Sequence, residues 1–159
     1  MLDNETFRET LGQFATGVAV VISGIPGCFR GMTINSLTSV SLMPPLVLFC
    51  ADNQAETFEA LKQSQRFTLS VLSAQQEQLS RQFALLGPQE ELFNRVNAHR
   101  GTGDIPYLAD SLAFLDCSVQ NIVAAGDHHI IVGHVDQGGR LNNQPPLLYF
   151  QSQYRHLKR

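Results

Sequence analysis

The apolar positions of this chain follow two different periods. In DNETFRETLGQFA, Phe7, Leu11 and Phe14 stand at helical spacing, Asn4 is placed to cap the segment, and Gly17 follows its end. DNQAETFEALKQS predicts a second helix, with Asn53 and Glu56 at capping-box spacing. SAQQEQLSRQFALL predicts a third, opened by Ser73 and closed near Gly87-Pro88. Elsewhere the period shortens to two or disappears into unbroken apolar runs. GVAVVISGIPGCFRGMTI reads as a hairpin around a turn holding Gly24, Pro26 and Gly27. SLTSVSLMPPLVLFCA continues the strand pattern. Pro44 and Pro45 cannot lie inside a central strand, so they mark the start of the buried strand LVLFCA. RFTLSVL alternates as a strand.

From Gln89 to Asp110 the pattern is weak, broken by Gly101, Gly103 and Pro106, and predicts a long loop with at most one helical turn. LAFLDCSVQNIVAA and HHIIVGHVDQGG follow as two long alternating strands. Leu115, Cys117 and Val119 share one face of the first, and Asp116, Ser118 and Gln120 the other. PLLYF is a final short strand before the tail. Many antiparallel strands with a few peripheral helices predict an α+β fold built on a β-barrel core. No internal repeat or linker divides residues 1–159, so one domain is expected.

Composition narrows the function classes. Apolar residues make up 43% and charged residues 16%, a globular balance. A net charge of −3 without a basic block argues against a dedicated nucleic-acid binder, and the basic YRHLKR end reads as a solvated tail. No apolar run reaches membrane-spanning length, and MLDNETFRET is not a signal peptide. Cys28, Cys50 and Cys117 form an odd set without CxxC spacing, so neither disulfides nor zinc are expected, and the cytoplasm is the expected location.

The stretch AAGDHHIIVGHV raises the chemical question. Gly126-Asp127 is a turn signal between two strands, and His128 and His129 follow it directly. As a metal site the stretch fails. His128 and His134 lie six residues apart on one strand, about 20 Å at about 3.3 Å per residue, and His128 and His129 point to opposite faces. No metal ligand set is expected. G-x-S-x-G, H-E-x-x-H, G-x-G-x-x-G and the Walker A loop are all absent, and GTGD at 101–104 reads as a loop. On the residues alone, the hairpin turn is simply good turn chemistry.

Five stretches in order change that weighting: FATGVAVV, RGMTINSLTSVSLMPPLVLFCA, FTLSVLSAQQEQLSRQFA, AGDHHIIVGHV and LLYFQSQYRHL. Together they resemble the short-chain flavin reductases, the reductase components of two-component flavin-dependent monooxygenases. The resemblance covers most of the chain. It implies an antiparallel split β-barrel with peripheral helices, a homodimer, FMN or FAD as flavin, and NADH or NADPH as hydride donor. It also implies a separate oxygenase that receives the reduced flavin.

Carried over by residue, the resemblance places Gly31, Met32, Thr33, Asn35 and Ser36 along the flavin ring. Cys50, Ala51 and Asp52 would touch the ring and ribityl chain. Thr57 would stand near a helix N-terminus that attracts phosphate. The pattern departs at Gln54 and Ala55, where serines are common, and Glu56 adds a negative charge, so phosphate contacts would shift toward Ser80, Arg81 and Phe83. Gln82 stands where an Arg is common, which leaves FMN and FAD both open. The Gly126-Asp127-His128 turn matches the family's nicotinamide-site signature, with His128 orienting the pyridine nucleotide and His129 structural or exposed. Tyr154 and Arg155 would close over the same pocket. Two rivals are a pyridoxamine-phosphate-oxidase-like enzyme, which needs a basic phosphate pocket, and a non-enzymatic flavin carrier or sensor, which has no use for a nicotinamide turn.

Overall fold

The computed structural model describes residues 1–158. Helix α1 (Asn4–Leu11) is capped by Asp3 rather than Asn4: the Asp3 carboxylate accepts the Thr6 N–H at 2.8 Å. A carboxylate there also meets the positive end of the helix dipole. No residue of α1 is buried, and Phe7, Leu11 and Phe14 stand exposed.

A short strand, β1 (Thr16–Gly17), leads into the hairpin of β2 (Ala19–Ile25) and β3 (Cys28–Ile34). Pro26 and Gly27 form its two-residue turn, with Gly27 at φ +84°, a conformation that disfavours a side chain. Next come β4 (Thr38–Leu42), β5 (Pro45–Asp52), α2 (Glu56–Ser64) and β6 (Arg66–Val71). The predicted capping box at Asn53 is not formed. The N-cap of α2 is Ala55, with no side-chain cap, and Glu56 instead receives a hydrogen bond from Arg30 Nε at 2.7 Å.

The third predicted helix is shorter than its periodicity suggests. Ser73 N–H donates to the Gln76 side chain at 3.0 Å, a 3₁₀ turn spans Ala74–Gln76, and α3 (Glu77–Phe83) follows. The predicted long loop from Gln89 to Asp110 is structured: it holds α4 (Glu90–Arg95) and a hairpin of β7 (Ala98–Arg100) and β8 (Pro106–Leu108). These elements have three to six residues each, too few to show a period. The two long strands, β9 (Ala113–Ala125) and β10 (His128–Arg140), then pair along nearly their whole length. The tail is not free. β11 (Leu148–Phe150) pairs with β1, and β12 (Gln153–Arg155) pairs with β11.

Seven strands form one antiparallel sheet in the order β3-β2-β6-β9-β10-β5-β4. The class is α+β with a predominantly antiparallel sheet. The hydrogen-bonded ladder ends at β3 and β4, and among the described residues no pairing joins those ends. Strand β2 explains the unbroken apolar run seen in sequence. Ala19 and Val21 face a cluster with Phe49, Phe67, Leu69, Cys117 and Ile131, while Val20 and Ile22 face another with Leu72, Phe83, Ile105 and Leu147. A strand covered on both sides cannot show alternation. Among the described residues no helix is long and apolar enough to cross a membrane.

Candidate functional site

Strand β3 is a sheet edge, paired only with β2. Its outward backbone groups therefore need partners other than a strand. Phe29 O accepts from Arg30 Nη1 at 2.9 Å. Gly31 is served on both sides by one side chain: its N–H donates to Gln89 Oε1 at 2.8 Å, and Gln89 Nε2 donates to its carbonyl at 2.8 Å. Alternation makes Thr33 the next residue whose backbone turns outward. Here the strand edge lines a hollow of about 430 Å³. Its lining runs unbroken from Arg30 to Ser36, as an edge presents itself, rather than every second residue, as a face would.

The other walls come from three places. Cys50 and Asp52 stand at the end of β5, on the opposite face from the core residues Phe49 and Ala51. Residues 54–57 contribute the start of α2, and residues 83–87 the end of α3 and the turn beyond it. His128 completes the lining and lies directly across the ladder from Asp52. The hollow thus gathers Met32, Thr33, Asn35, Ser36, Cys50, Asp52, Thr57, Phe83 and His128 of the expected site from five separate parts of the chain.

Several polar groups here are already committed. Cys50 N–H donates to Ser36 Oγ at 2.9 Å, which leaves the Ser36 proton to donate elsewhere. Thr33 Oγ1 donates to Ser80 O at 2.5 Å, tying β3 to α3. The Asp52 carboxylate accepts the Gln54 N–H at 2.8 Å and shapes the β5–α2 connection. Phe83 lies against Gly31, where a Cβ would stand 2.7 Å from the ring.

The remaining expected residues lie outside the lining. Ala51 is fully buried and faces the core. Ser80 is fully buried behind Thr33, with its hydroxyl 2.6 Å from the Tyr154 hydroxyl. Arg81 pairs with Glu77 at 2.7 Å and lies over the Tyr154 ring, 4.6 Å from its centroid. Glu77 also meets His156 at 3.1 Å; the Arg81 and His156 bonds hold its carboxyl below the usual range. This group joins β12 to α3 and borders a separate surface hollow with Tyr149 and Gln153.

At the hairpin, Gly126 has φ +69° and opens a two-residue turn between Ala125 and His128. Asp127 Oδ1 lies 2.7 Å from His128 Nδ1. That hydrogen bond holds the Asp127 carboxyl below its usual value. With Nδ1 serving Asp127, Nε2 is the ring nitrogen left for a ligand. His129 stacks on Phe58 with centroids 4.5 Å apart, as befits its opposite face.

Sequence reasoning passed over Arg30 and Gln89. Arg30 precedes the Gly31–Ser36 stretch and brings a cation to the rim, balanced by Glu56 at 2.7 Å and Glu90 at 3.5 Å. Its place beside that stretch was a usable signal. Gln89 carried none, since its partner is 58 residues away.

A profile of the flavin reductase like domain matches residues 11–158. The chain belongs to this family. Among its relatives, a probable flavin reductase of Rhizobium meliloti (strain 1021) is 41% identical over 136 residues, covering 85% of this chain and 43% of that protein. The chain thus spans less than half the length of that relative. The reductase component of 4-hydroxyphenylacetate 3-monooxygenase from Thermus thermophilus is 36% identical over 153 residues and covers 96% of both chains. The solved NADH:FAD oxidoreductase of Streptomyces globisporus C-1027, in complex with NAD and FAD fragments, superposes with a TM-score of 0.91 at 36% identity, covering 98% of this chain and 93% of that one. A flavin reductase-like chain of this kind is an oxidoreductase that handles flavin and nicotinamide nucleotides.

Proposed function

We propose that this chain is an NAD(P)H:flavin oxidoreductase whose reduced flavin, FMN or FAD, passes to a separate oxygenase, and that the hollow between β3, β5 and α3 is its flavin site. The observation that carries this is the meeting of the β3 edge with His128 in one cavity. Relatives named as reductase components of monooxygenases support the oxygenase partner.

The residues present suit a flavin. An isoalloxazine ring needs hydrogen bonds along its polar edge and apolar contact on its faces. Ser36 has a proton to donate, Asn35 is exposed, and Thr33 turns its backbone outward; Met32 and Phe83 supply apolar surface. The bound pair of cofactors supplies the chemistry, a hydride passing from the nicotinamide to the flavin. The protein's part is positioning. Well-oriented contact between reactants supplies about 7–11 kcal/mol in favourable cases, so no acid–base dyad is needed. His128, held by Asp127, orients the pyridine nucleotide through Nε2. Ser36 and Thr33 fix the flavin edge. Cys50, Asp52 and Thr57 face the chain that follows the ring, and Arg30 offsets the Glu56 charge at that end of the hollow. Ala51 shapes β5 from the core side. Ser80, Arg81 and Tyr154 brace the wall rather than touch the ring, and Gly126 sets the turn.

Two structural readings accompany this one. Residues 1–159 form one split-barrel domain. Phe49 on β5 and Phe67 on β6 lie three strands apart in the ladder, about 14 Å in a flat sheet at about 4.8 Å per strand. Their ring centroids are 5.2 Å apart, which supports a sheet curled onto itself. The protein works as a homodimer, with the exposed stripe of α1 as part of the contact, and it acts in the cytoplasm.

The test is a steady-state assay of NADH or NADPH oxidation with FMN, FAD and riboflavin in turn. Saturable turnover is expected, and His128→Ala should raise KM for the pyridine nucleotide about tenfold, roughly 1.4 kcal/mol, while flavin Kd shifts less. Collapse of flavin affinity with unchanged KM would move His128 out of the nicotinamide site.

A further inference from the structure

We infer that Asn53 is the positioning residue of the nicotinamide turn, acting through His128 rather than on either nucleotide. The inference rests on the placement of His128 proposed above.

Asn53 sits in the connection between β5 and α2, next to Asp52, which lines the hollow. It makes three hydrogen bonds, all to the β9–β10 turn and the start of β10. Its backbone N–H donates to Asp127 O at 3.1 Å. Its side-chain Nδ2 donates to Gly126 O at 3.2 Å. Its Oδ1 lies 2.6 Å from His129 Nδ1. The network fixes the amide's orientation. A carbonyl can only accept, so the amide nitrogen faces Gly126 and the oxygen faces His129, whose Nδ1 must carry the proton.

His129 cannot drift to follow a loosened turn. Its ring stacks on Phe58, which is buried in the core on α2. The bonds therefore tie the turn to a rigid body. His128 is adjacent in sequence and points to the other face of the same strand, into the hollow. Without the Asn53 side chain, the turn keeps the β9–β10 and β5–β10 ladders and the backbone bond to Asp127 O, but loses the two side-chain bonds that hold the Gly126 carbonyl and the His129 ring. The ladder still sets the position of the His128 backbone, but the turn that aims its ring into the hollow is held less tightly. Small misplacements of that kind weaken catalysis far more than they weaken folding.

The predicted capping role fails for the same reason: Asn53 spends both ends of its amide on the turn, so none remains for α2.

A double-mutant cycle on the purified flavin reductase tests this, with Asn53→Ala, His128→Ala and the double variant assayed for NADH KM, kcat and flavin Kd. Asn53→Ala is expected to raise KM for NADH about fivefold with flavin Kd within about twofold, and to add nothing in the His128→Ala background. Asn53→Asp keeps the acceptor for His129 but loses the donor to Gly126, so it should fall between wild type and Asn53→Ala. Additive effects in the double variant would overturn the inference, because Asn53 would then act independently of His128. Loss of flavin binding or of thermal stability in Asn53→Ala and Asn53→Asp alike, with KM unmoved, would make it a structural residue only. If His128→Ala by itself leaves KM unchanged, the placement of His128 fails, and this inference falls with it.

Discussion

Gly31 lets a phenylalanine lie flat on an edge strand. A methyl group there would stand 2.7 Å from the Phe83 ring and 3.3 Å from Ile22. Phe83 is buried and also lines the hollow, so it can retreat only by opening the wall. Gly31→Ala should cost about 1–3 kcal/mol, the usual range for overpacking, and weaken flavin binding in parallel. Thermal melting with a flavin titration checks both; a neutral variant would mean the wall is soft. Burial sets the ionisation of Cys117. It is fully buried, and burial, reinforced by Asp116 and Asp136, pushes its thiol up to about 12. In the unfolded chain the thiol ionises near its ordinary value of 9.0, while the folded protein keeps its proton. Stability should therefore fall as pH rises from about 9 toward 12, by up to about 1.4 kcal/mol per pH unit from this group. Chemical denaturation of wild type against Cys117→Ala across that window isolates it. At pH 8, alkylation should label the exposed Cys28 and leave Cys117 untouched until the protein unfolds.

Among the elements, the segment from α3 to α4 depends on one side chain. Gln89 completes the β3 edge as a peptide group would, and its removal leaves the Gly31 N–H and C=O unpaired in a buried position. Gln89→Ala should cost about 1–3 kcal/mol and speed hydrogen exchange at the Gly31 amide well before that of β2. Uniform protection along β3 would show that water replaces the amide without loss. This contact also marks the boundary of what the sequence discloses. The long strands, the Pro26-Gly27 turn and the Gly126-Asp127 turn were legible because each is carried by neighbouring residues with a period or a turn chemistry. The stretches Gly31–Ser36 and Gly126–His128 stood out as a candidate site only through the family resemblance, each being continuous in the chain, and of them residues 31–36 and His128 meet at the hollow. The helix from Ser73 was overrun because Ala84 to Leu86 prolong the apolar pattern beyond the end of α3 at Phe83. Asp3 and Asn4 are equally good caps by composition, and only the observed bond chooses between them. Gln89 and Asn53 bond to backbone 58 and 73 residues away, and such pairings leave no local trace.

For the whole molecule, the proposed dimer turns on the exposed face of α1. Phe7 and Leu11 stand one turn apart on the helix and Phe14 lies three residues past its end, and none of the three is buried. Phe7, Leu11 and Phe14 are 54%, 53% and 75% exposed. The helix is not adrift. Gln151 N–H donates to Gly12 O at 2.9 Å and Gln151 Nε2 to Gln13 Oε1 at 3.1 Å, so the β11–β12 turn holds its C-terminal end in place. A fixed helix with an uncovered stripe is a prepared contact surface, since burying apolar area is worth about 25 cal/mol per Å². A second copy is the economical partner, because a two-fold contact lets each chain cover the other's stripe. Phe14→Glu places a charge at the most exposed of the three positions, just past the end of the helix. It should shift the protein from dimer to monomer in sedimentation velocity at micromolar concentration, without lowering the melting point of the monomer's own core. A monomeric wild type, or a Phe14→Glu variant that remains dimeric, would show that the stripe is not the interface. If the variant is monomeric and also slow in NADH oxidation while His128→Ala remains dimeric and slow, then assembly and hydride transfer are separable requirements. The site would then owe part of its shape to the neighbouring chain.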